Sequence, residues 1–267
     1  MAEVLVTGGT GTLGREVVAA LGSRGHSVRI LSRRGGEAVS PGDGRADGSL
    51  VVRGDLASGA GLAEAVAGTE AIVHCASATG TLRRRTLREV DVEGTRRLAA
   101  AARFAGHPHL VYPSIVGIDG LPFAYYRAKR AAEEEVERSG LPWTILRATQ
   151  FHDLVLTALR GLDRGPLLFL PRGLRFQPVD AGEVAERLAE LVDVGAGRRV
   201  GDLGGPEELR VEEIAERYLE TRGGRRPRIV GVAVPGRTAR AVRSGRLLCR
   251  GCASGEISFA EFLRRSL

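Results

Sequence analysis

The apolar positions of the first 150 residues fall into short unbroken runs separated by stretches of helical spacing. Val4–Val6, Val28–Leu31, Leu50–Val52, Ala71–Cys75, Leu110–Tyr112 and Trp143–Leu146 read as strands with little or no polar face. Between them, Leu13, Val17, Val18 and Leu21 share one face of a helix, and Leu62–Val66 makes a short one. Thr86 to Phe104 reads as one long helix, and Phe123 to Arg138 as another that Gly140 stops. Strands that are apolar throughout need cover on both faces, the condition of a parallel sheet sandwiched by helices. With right-handed crossovers, the expected fold is a doubly wound α/β sheet of the Rossmann kind.

After residue 150 the pattern loosens. Glu183–Val194 and Val211–Thr221 read as helices, and Val200–Leu203 and Ile229–Val232 as strands. Pro235 to Arg246 and Phe259 to Leu267 read as further helices. No linker separates the two parts. The expected division is a Rossmann domain over 1–150 and a small C-terminal substrate or lid region over 151–267, packed on the same domain. The Gly-, Asp- and Ser-rich stretch 34–49 reads as a surface insertion.

Composition changes this picture in one respect. The chain of 267 residues is 43% apolar and carries a formal charge of +7. Of its 39 basic residues, all are Arg except Lys129. There is no Asn, and Gln occurs only at 150 and 177. The Arg residues are scattered among Glu and Asp, which describes a solvated surface, not the clustered stripe that nucleic acid requires. No apolar run approaches the length of a membrane span. Met1-Ala2-Glu3 leads straight into a strand pattern, so no signal peptide is expected, and three cysteines do not make a disulfide framework. The expected setting is the cytoplasm, with no nucleic-acid or membrane partner.

The first strand ends in Thr7-Gly8-Gly9-Thr10-Gly11-Thr12-Leu13-Gly14, a Gly8-x-x-Gly11-x-x-Gly14 turn that opens the first helix. Glycine is needed here for a tight turn, for close approach of a pyrophosphate and for close strand–helix packing. The helix N-terminus then offers unpaired N–H groups to phosphate. Gly8, Thr10, Gly11, Thr12, Leu13 and Gly14 are the expected phosphate cradle of a dinucleotide.

The second strand ends in Ser32-Arg33-Arg34, where NAD-binding sites carry an acid for the ribose hydroxyl. No acid follows until Glu37. Two guanidiniums and a hydroxyl suit a 2′-phosphate, so NADP(H) is expected over NAD(H). Asp55, in Gly54-Asp55-Leu56, is placed for the adenine edge, with a helix N-cap as its alternative role. Cys75, Ala76 and Ser77 end the fourth strand, where small residues let a cofactor cross the sheet.

The glycine turn, the Asp55-Leu56 pair and Tyr125-x-x-x-Lys129 together resemble the short-chain dehydrogenase/reductase superfamily. The glycine spacing, the basic end of strand two, Ser114-Ile115-Val116-Gly117 and Pro142 to Arg147 look most like its atypical, NmrA-like group. The resemblance implies a proton-transfer set of Tyr125, Lys129 and Ser114. In active members the Lys lowers the Tyr pKa and holds the nicotinamide ribose, while Ser fixes the substrate oxygen. Residues four apart share a helix face, and Lys is a compact charge that Arg does not replace. Only 129, 130 and 222 of the basic positions lie four after a Tyr, and the one Lys occupies the first of them.

The loop Ala148-Thr149-Gln150-Phe151 is expected to face the nicotinamide, with Gln150, His152 and Gln177 orienting substrate. His152 also reads simply as a hydrogen-bonded loop histidine. Cys249-x-x-Cys252 has metal or redox spacing but stands without a second ligand pair, so no metal is expected. Arg83-Arg84-Arg85 reads as a solvated face that also lies within reach of an anionic substrate. The expected activity is NADP(H)-dependent carbonyl reduction or alcohol oxidation on a small molecule. A non-catalytic NADP(H) sensor and a nucleotide-sugar epimerase or dehydratase remain alternatives, and a homodimer is the candidate assembly.

Overall fold

The computed structural model describes residues 1–35 and 49–267. Residues 36–48, including most of the insertion read at 34–49 and Glu37, lie outside the described residues. The chain forms two compact units. The first comprises Met1–Ser114, Phe123–Leu146 and Val184–Val200; the second comprises Ile115–Pro122, Arg147–Glu183 and Gly201–Leu267.

The first unit is built on a parallel sheet. Its strands are β1 (Glu3–Thr7), β2 (Ser27–Ser32), β3 (Leu50–Arg53), β4 (Ala71–His74), β5 (His109–Ile115) and β6 (Trp143–Ala148). They lie in the order β6-β5-β4-β1-β2-β3. The helices are α1 (Thr12–Ser23), α2 (Leu62–Val66), α3 (Arg84–Leu87), α4 (Gly94–Phe104) and α5 (Ala124–Glu137). Val4, Leu5 and Val6 of β1 and Ile72 and Val73 of β4 are fully buried, as two-sided cover demands. Val17, Val18 and Leu21 of α1, with Leu98 of α4 and Ala132 and Val136 of α5, pack to supply that cover. The strand order reverses beside β1, which pairs with β2 on one side (Thr7 opposite Leu31) and β4 on the other (Thr7 opposite His74). The carboxyl ends at such a reversal are where doubly wound sheets bind ligands.

The long helix expected from Thr86 to Phe104 is not continuous. α3 begins earlier, at Arg84, and is followed by a π-helical turn over Arg88–Glu93 before α4 resumes. The backbone N–H of Gly94 bonds the Glu89 carbonyl, five residues back. Hydrophobic periodicity carries no record of one extra residue in a turn, so the sequence reads straight through it.

The second unit has its own core, in which Leu156, Leu168, Ile214, Tyr218, Phe259 and Leu263 are prominent. They come from helices His152–Leu162, Val211–Arg222 and Phe259–Ser266 and from strand Leu167–Pro171, which pairs in parallel with Arg228–Val232. The first helix and this strand were not expected from the sequence. The strand read at Val200–Leu203 resolves into two short pieces, Arg198–Arg199 and Leu203–Gly204. The helix read from Pro235 to Arg246 is shorter, Arg237–Arg243. Cys249 and Cys252 are joined in a disulfide. Among the described residues, no helix is long and apolar enough to cross a membrane and no group of His, Cys, Asp or Glu is arranged to hold a metal ion.

Candidate functional site

The glycine turn connects the end of β1 to the start of α1. Gly8 has φ of +69°, and a Cβ there would lie 2.7 Å from the Ala76 backbone just beyond β4. A Cβ on Gly14 would sit 2.0 Å from the Gly8 carbonyl oxygen. These two glycines are therefore required by the protein itself. Gly11 is different: among the described residues its Cβ would meet only the Gly8 oxygen at 3.3 Å, and Thr10, Gly11 and Thr12 are exposed. Gly11 also caps α1 without any side-chain hydrogen bond, leaving the first-turn N–H groups outward. A bare backbone edge at a helix N-terminus fits a pyrophosphate. Leu13 is buried beneath it.

Ser32 ends β2, and its hydroxyl accepts from the Arg34 N–H at 3.3 Å, shaping a turn that leaves Arg33 and Arg34 exposed. Asp55 does not cap a helix. Its carboxylate accepts from Ala57 N at 3.0 Å and Ser58 Oγ at 3.2 Å, holding the turn before α2, while Gly61 occupies the cap position. Leu56 is buried in the core.

The proton-transfer candidates lie on α5 and at the end of β5. Lys129 is buried, and its Nζ donates to the Pro113 carbonyl at 2.9 Å, one residue before Ser114. The same ammonium lies 4.1 Å from the centre of the Tyr112 ring. Burial lowers its pKa to about 8 against the opposing pull of Asp91. Ser114 Oγ is buried and has no hydrogen-bond partner among the described residues. Tyr125 Oη lies 3.3 Å from Ser77 Oγ. Burial pushes the Tyr125 phenol up to about 12. The Lys129 ammonium is directed to the Pro113 carbonyl and the Tyr112 ring, and burial is the largest influence on the Tyr125 phenol. Cys75 is likewise raised, to about 12, by burial.

Sequence reasoning missed the polar cluster behind Tyr125. Asp91, in the π-helical turn, is only 1% exposed. One carboxylate oxygen takes a very close contact from Ser77 Oγ, and the other accepts from Ala78 N at 3.1 Å. His74 is fully buried between Thr7 Oγ1 at 2.6 Å and Thr95 Oγ1 at 2.9 Å. The available signal was an acid between Val90 and Val92 on the apolar stripe of a helix.

The remaining candidates belong to the second unit. Gln150 accepts from Gln177 N at 3.3 Å and donates to Leu247 O at 3.2 Å. Gln177 accepts from Cys249 N at 2.7 Å and donates to Gly205 O at 2.8 Å. Thr149 Oγ1 donates to Gln177 O at 2.5 Å. His152 Nε2 bonds Ile257 O at 3.0 Å, and its ring stacks on Phe262. Ala148 is buried, and Phe151 forms a parallel bridge to Val179. Here both glutamines and His152 spend hydrogen-bonding groups on joining backbone segments of their own unit.

A family model described as NAD(P)H-binding matches residues 8–165. The (4-alkanoyl-5-oxo-2,5-dihydrofuran-3-yl)methyl phosphate reductase of Streptomyces griseus is 33% identical over 214 residues, covering 79% of this chain and 70% of that protein. Sterol demethylase protein B of Methylococcus capsulatus is 35% identical over 167 residues, covering 60% of this chain; the match spans 48% of the relative's length, about half. The crystal structure of an NADPH-dependent quinone oxidoreductase from Escherichia coli superposes with a TM-score of 0.73 at 17% identity, covering 98% of this chain and 99% of that one. At that identity the likeness is one of fold.

Proposed function

The chain belongs to the NAD(P)H-binding family, and from that premise we propose that it is an NADP(H)-dependent oxidoreductase interconverting a carbonyl and an alcohol on a small organic substrate. The observation that carries this reading is the contact of Lys129 Nζ with the Pro113 carbonyl at 2.9 Å. It brings the only lysine to the strand end bearing the unpartnered Ser114 hydroxyl, with Tyr125 one turn earlier on the same helix.

Each residue then has a role that its chemistry supports. The exposed Gly11 edge and the α1 N-terminus receive the pyrophosphate, while Ser32, Arg33 and Arg34 take the 2′-phosphate. When bound, the nicotinamide supplies or accepts the hydride. Ser114 fixes the substrate oxygen. Tyr125, a neutral phenol at ordinary pH, donates the proton that an incipient alkoxide requires. Lys129 places a positive charge beside that oxygen. A cofactor-binding regulator is the second reading, and it is favoured by Lys129 and Tyr125 both being engaged by protein atoms.

The test is titration with NADPH and NADH, followed by NADPH oxidation across a carbonyl panel. The panel includes phosphorylated oxo-dihydrofurans of the kind named for the Streptomyces relative. NADPH is expected to bind at least about 10-fold tighter, the scale of one charge-assisted bond. Turnover is expected to vanish in Lys129→Arg and Tyr125→Phe with the fold intact. Equal affinities would sink the role of Arg33 and Arg34. Binding without turnover on any carbonyl would replace the enzyme by the regulator.

A further inference from the structure

The Tyr125 phenol has one hydrogen-bond partner among the described side chains, Ser77, and Ser77 in turn leans on Asp91. A serine hydroxyl has one proton, and an ionised carboxylate can only accept. Asp91 is already committed to Ala78 N through its second oxygen. The Ser77 proton therefore belongs to Asp91, and Ser77 Oγ is left to accept from Tyr125. All three bonds then run one way: Tyr125 Oη–H to Ser77 Oγ–H to Asp91.

We infer that Ser77 and Asp91 form a proton relay that serves Tyr125 during carbonyl–alcohol interconversion. The inference rests on the reading of Tyr125 as the proton-transferring group. In the oxidative direction, the substrate hydroxyl gives its proton to Tyr125 Oη. The Tyr125 proton moves to Ser77 Oγ, and the Ser77 proton moves to Asp91. The carbon-bound hydrogen leaves as hydride to NADP⁺. Alcohol, NADP⁺ and Asp91 carboxylate become carbonyl, NADPH and Asp91 carboxylic acid, so charge and atoms balance. Reduction runs the same path backwards. Such a path matters because a buried neutral phenol cannot take a proton unless it simultaneously passes one on.

Asp91 and Ser77 are positioning residues in this scheme, since both act through Tyr125. The titratable and charged groups around them are Lys129, Glu133, Tyr125 and Tyr126 from α5, Tyr112 from β5, and His74 and Cys75 at the end of β4. Lys129 is the one cation in that set, and Asp91 is the first of the acids whose charge attracts it.

Asp91→Asn and Ser77→Ala test the relay. An Asn that keeps the Ala78 contact through its oxygen presents its amide N–H to Ser77. Ser77 then donates to Tyr125, and the direction of the chain is reversed. The first readout needs no turnover: alkaline titration of tyrosine absorbance, with Tyr125→Phe as the reference that isolates Tyr125. In Asp91→Asn the Tyr125 titration is expected to move to lower pH. An unmoved titration in a folded variant overturns the inference. In the active enzyme, kcat for alcohol oxidation is expected to fall about 100-fold in Ser77→Ala and Asp91→Asn, with KM within about twofold, and Asp91→Glu is expected to restore part of it. If Tyr125→Phe abolishes turnover while Ser77→Ala and Asp91→Asn keep wild-type kcat and pH profile, the relay fails and the enzyme reading stands. If Tyr125→Phe retains full turnover, the enzyme reading and the relay fail together.

Discussion

The hydroxyl of Thr7 lies 2.6 Å from Nδ1 of His74, tying the end of β1 to the end of β4. The direction of this bond follows from its neighbours. Thr95 Oγ1 donates to the Asp91 carbonyl at 2.5 Å, so His74 Nε2 donates to Thr95. Thr7 Oγ1 accepts from Ala76 N at 3.2 Å and gives its proton to Nδ1. The network fixes His74 as the neutral Nε2–H tautomer. It also links the residue before the glycine turn to the turn that carries Asp91.

A pH effect follows from that neutrality. Burial lowers the His74 pKa from 6.5 to about 3, with Lys129 adding to the shift. Between those values the unfolded chain binds a proton that the folded chain refuses, so stability falls as pH drops below about 6.5. The limiting slope is about 1.4 kcal/mol per pH unit. Urea denaturation between pH 6.5 and 5 should show this loss in the wild type. His74→Gln, which keeps a donor and an acceptor but does not titrate, should lose stability less steeply in that window. Parallel slopes would show that His74 is not the source.

The sole lysine is a built-in probe. In protein labelled with ¹³C-lysine, the side-chain resonances report Lys129 alone. Burial places its titration near 8 instead of the usual 10.5. The folded group loses its proton first, so stability attributable to Lys129 rises as pH climbs from about 8 towards 10.5. A resonance that titrates above 10 would place the ammonium in water, away from Pro113 and Tyr112.

Much of the sheet was legible because apolar runs such as Val4–Val6 are dictated by two-sided burial, and α1 because its turn demands glycine. Lys129 stood out because the composition otherwise replaces Lys by Arg. Three things were not legible. The π-helical turn adds no residue type of its own, so Asp91 read as part of a plain helix. The hydroxyls of Thr7 and Ser77 gained meaning only when β1, β4 and α5 were brought together. The backbone partners of the polar residues after β6 were hidden, because the pattern of Gln150, His152 and Gln177 records their polarity but not the groups that use it.

Gln177 makes that last point testable. Its side chain joins Gly205 O and Cys249 N, both buried contacts. Gln177→Ala leaves a donor and an acceptor unpaired, and each such loss costs about 1–3 kcal/mol. The variant should lose about 2–6 kcal/mol of stability on that scale, read from urea denaturation. A Gln177→Ala protein of wild-type stability with a raised substrate KM would instead make the side chain a substrate ligand.

Gly11 and Gly14 separate cofactor binding from folding within one turn. At Gly14 a Cβ would collide with the Gly8 carbonyl at 2.0 Å, so Gly14→Ala should destabilise the protein by several kcal/mol, about the range reserved for overpacked or strained sites. At Gly11 the only atom of the described residues near a Cβ is the Gly8 oxygen at 3.3 Å. A methyl there costs the fold little but stands where the pyrophosphate must approach the backbone. Gly11→Ala should keep its denaturation midpoint close to the wild type and lose NADPH affinity by at least about 10-fold, equivalent to about 1.4 kcal/mol. Calorimetric titration with NADPH beside thermal melting of the same sample gives both numbers. Unchanged affinity in Gly11→Ala would remove the phosphate cradle from this turn, whatever the stability of Gly14→Ala.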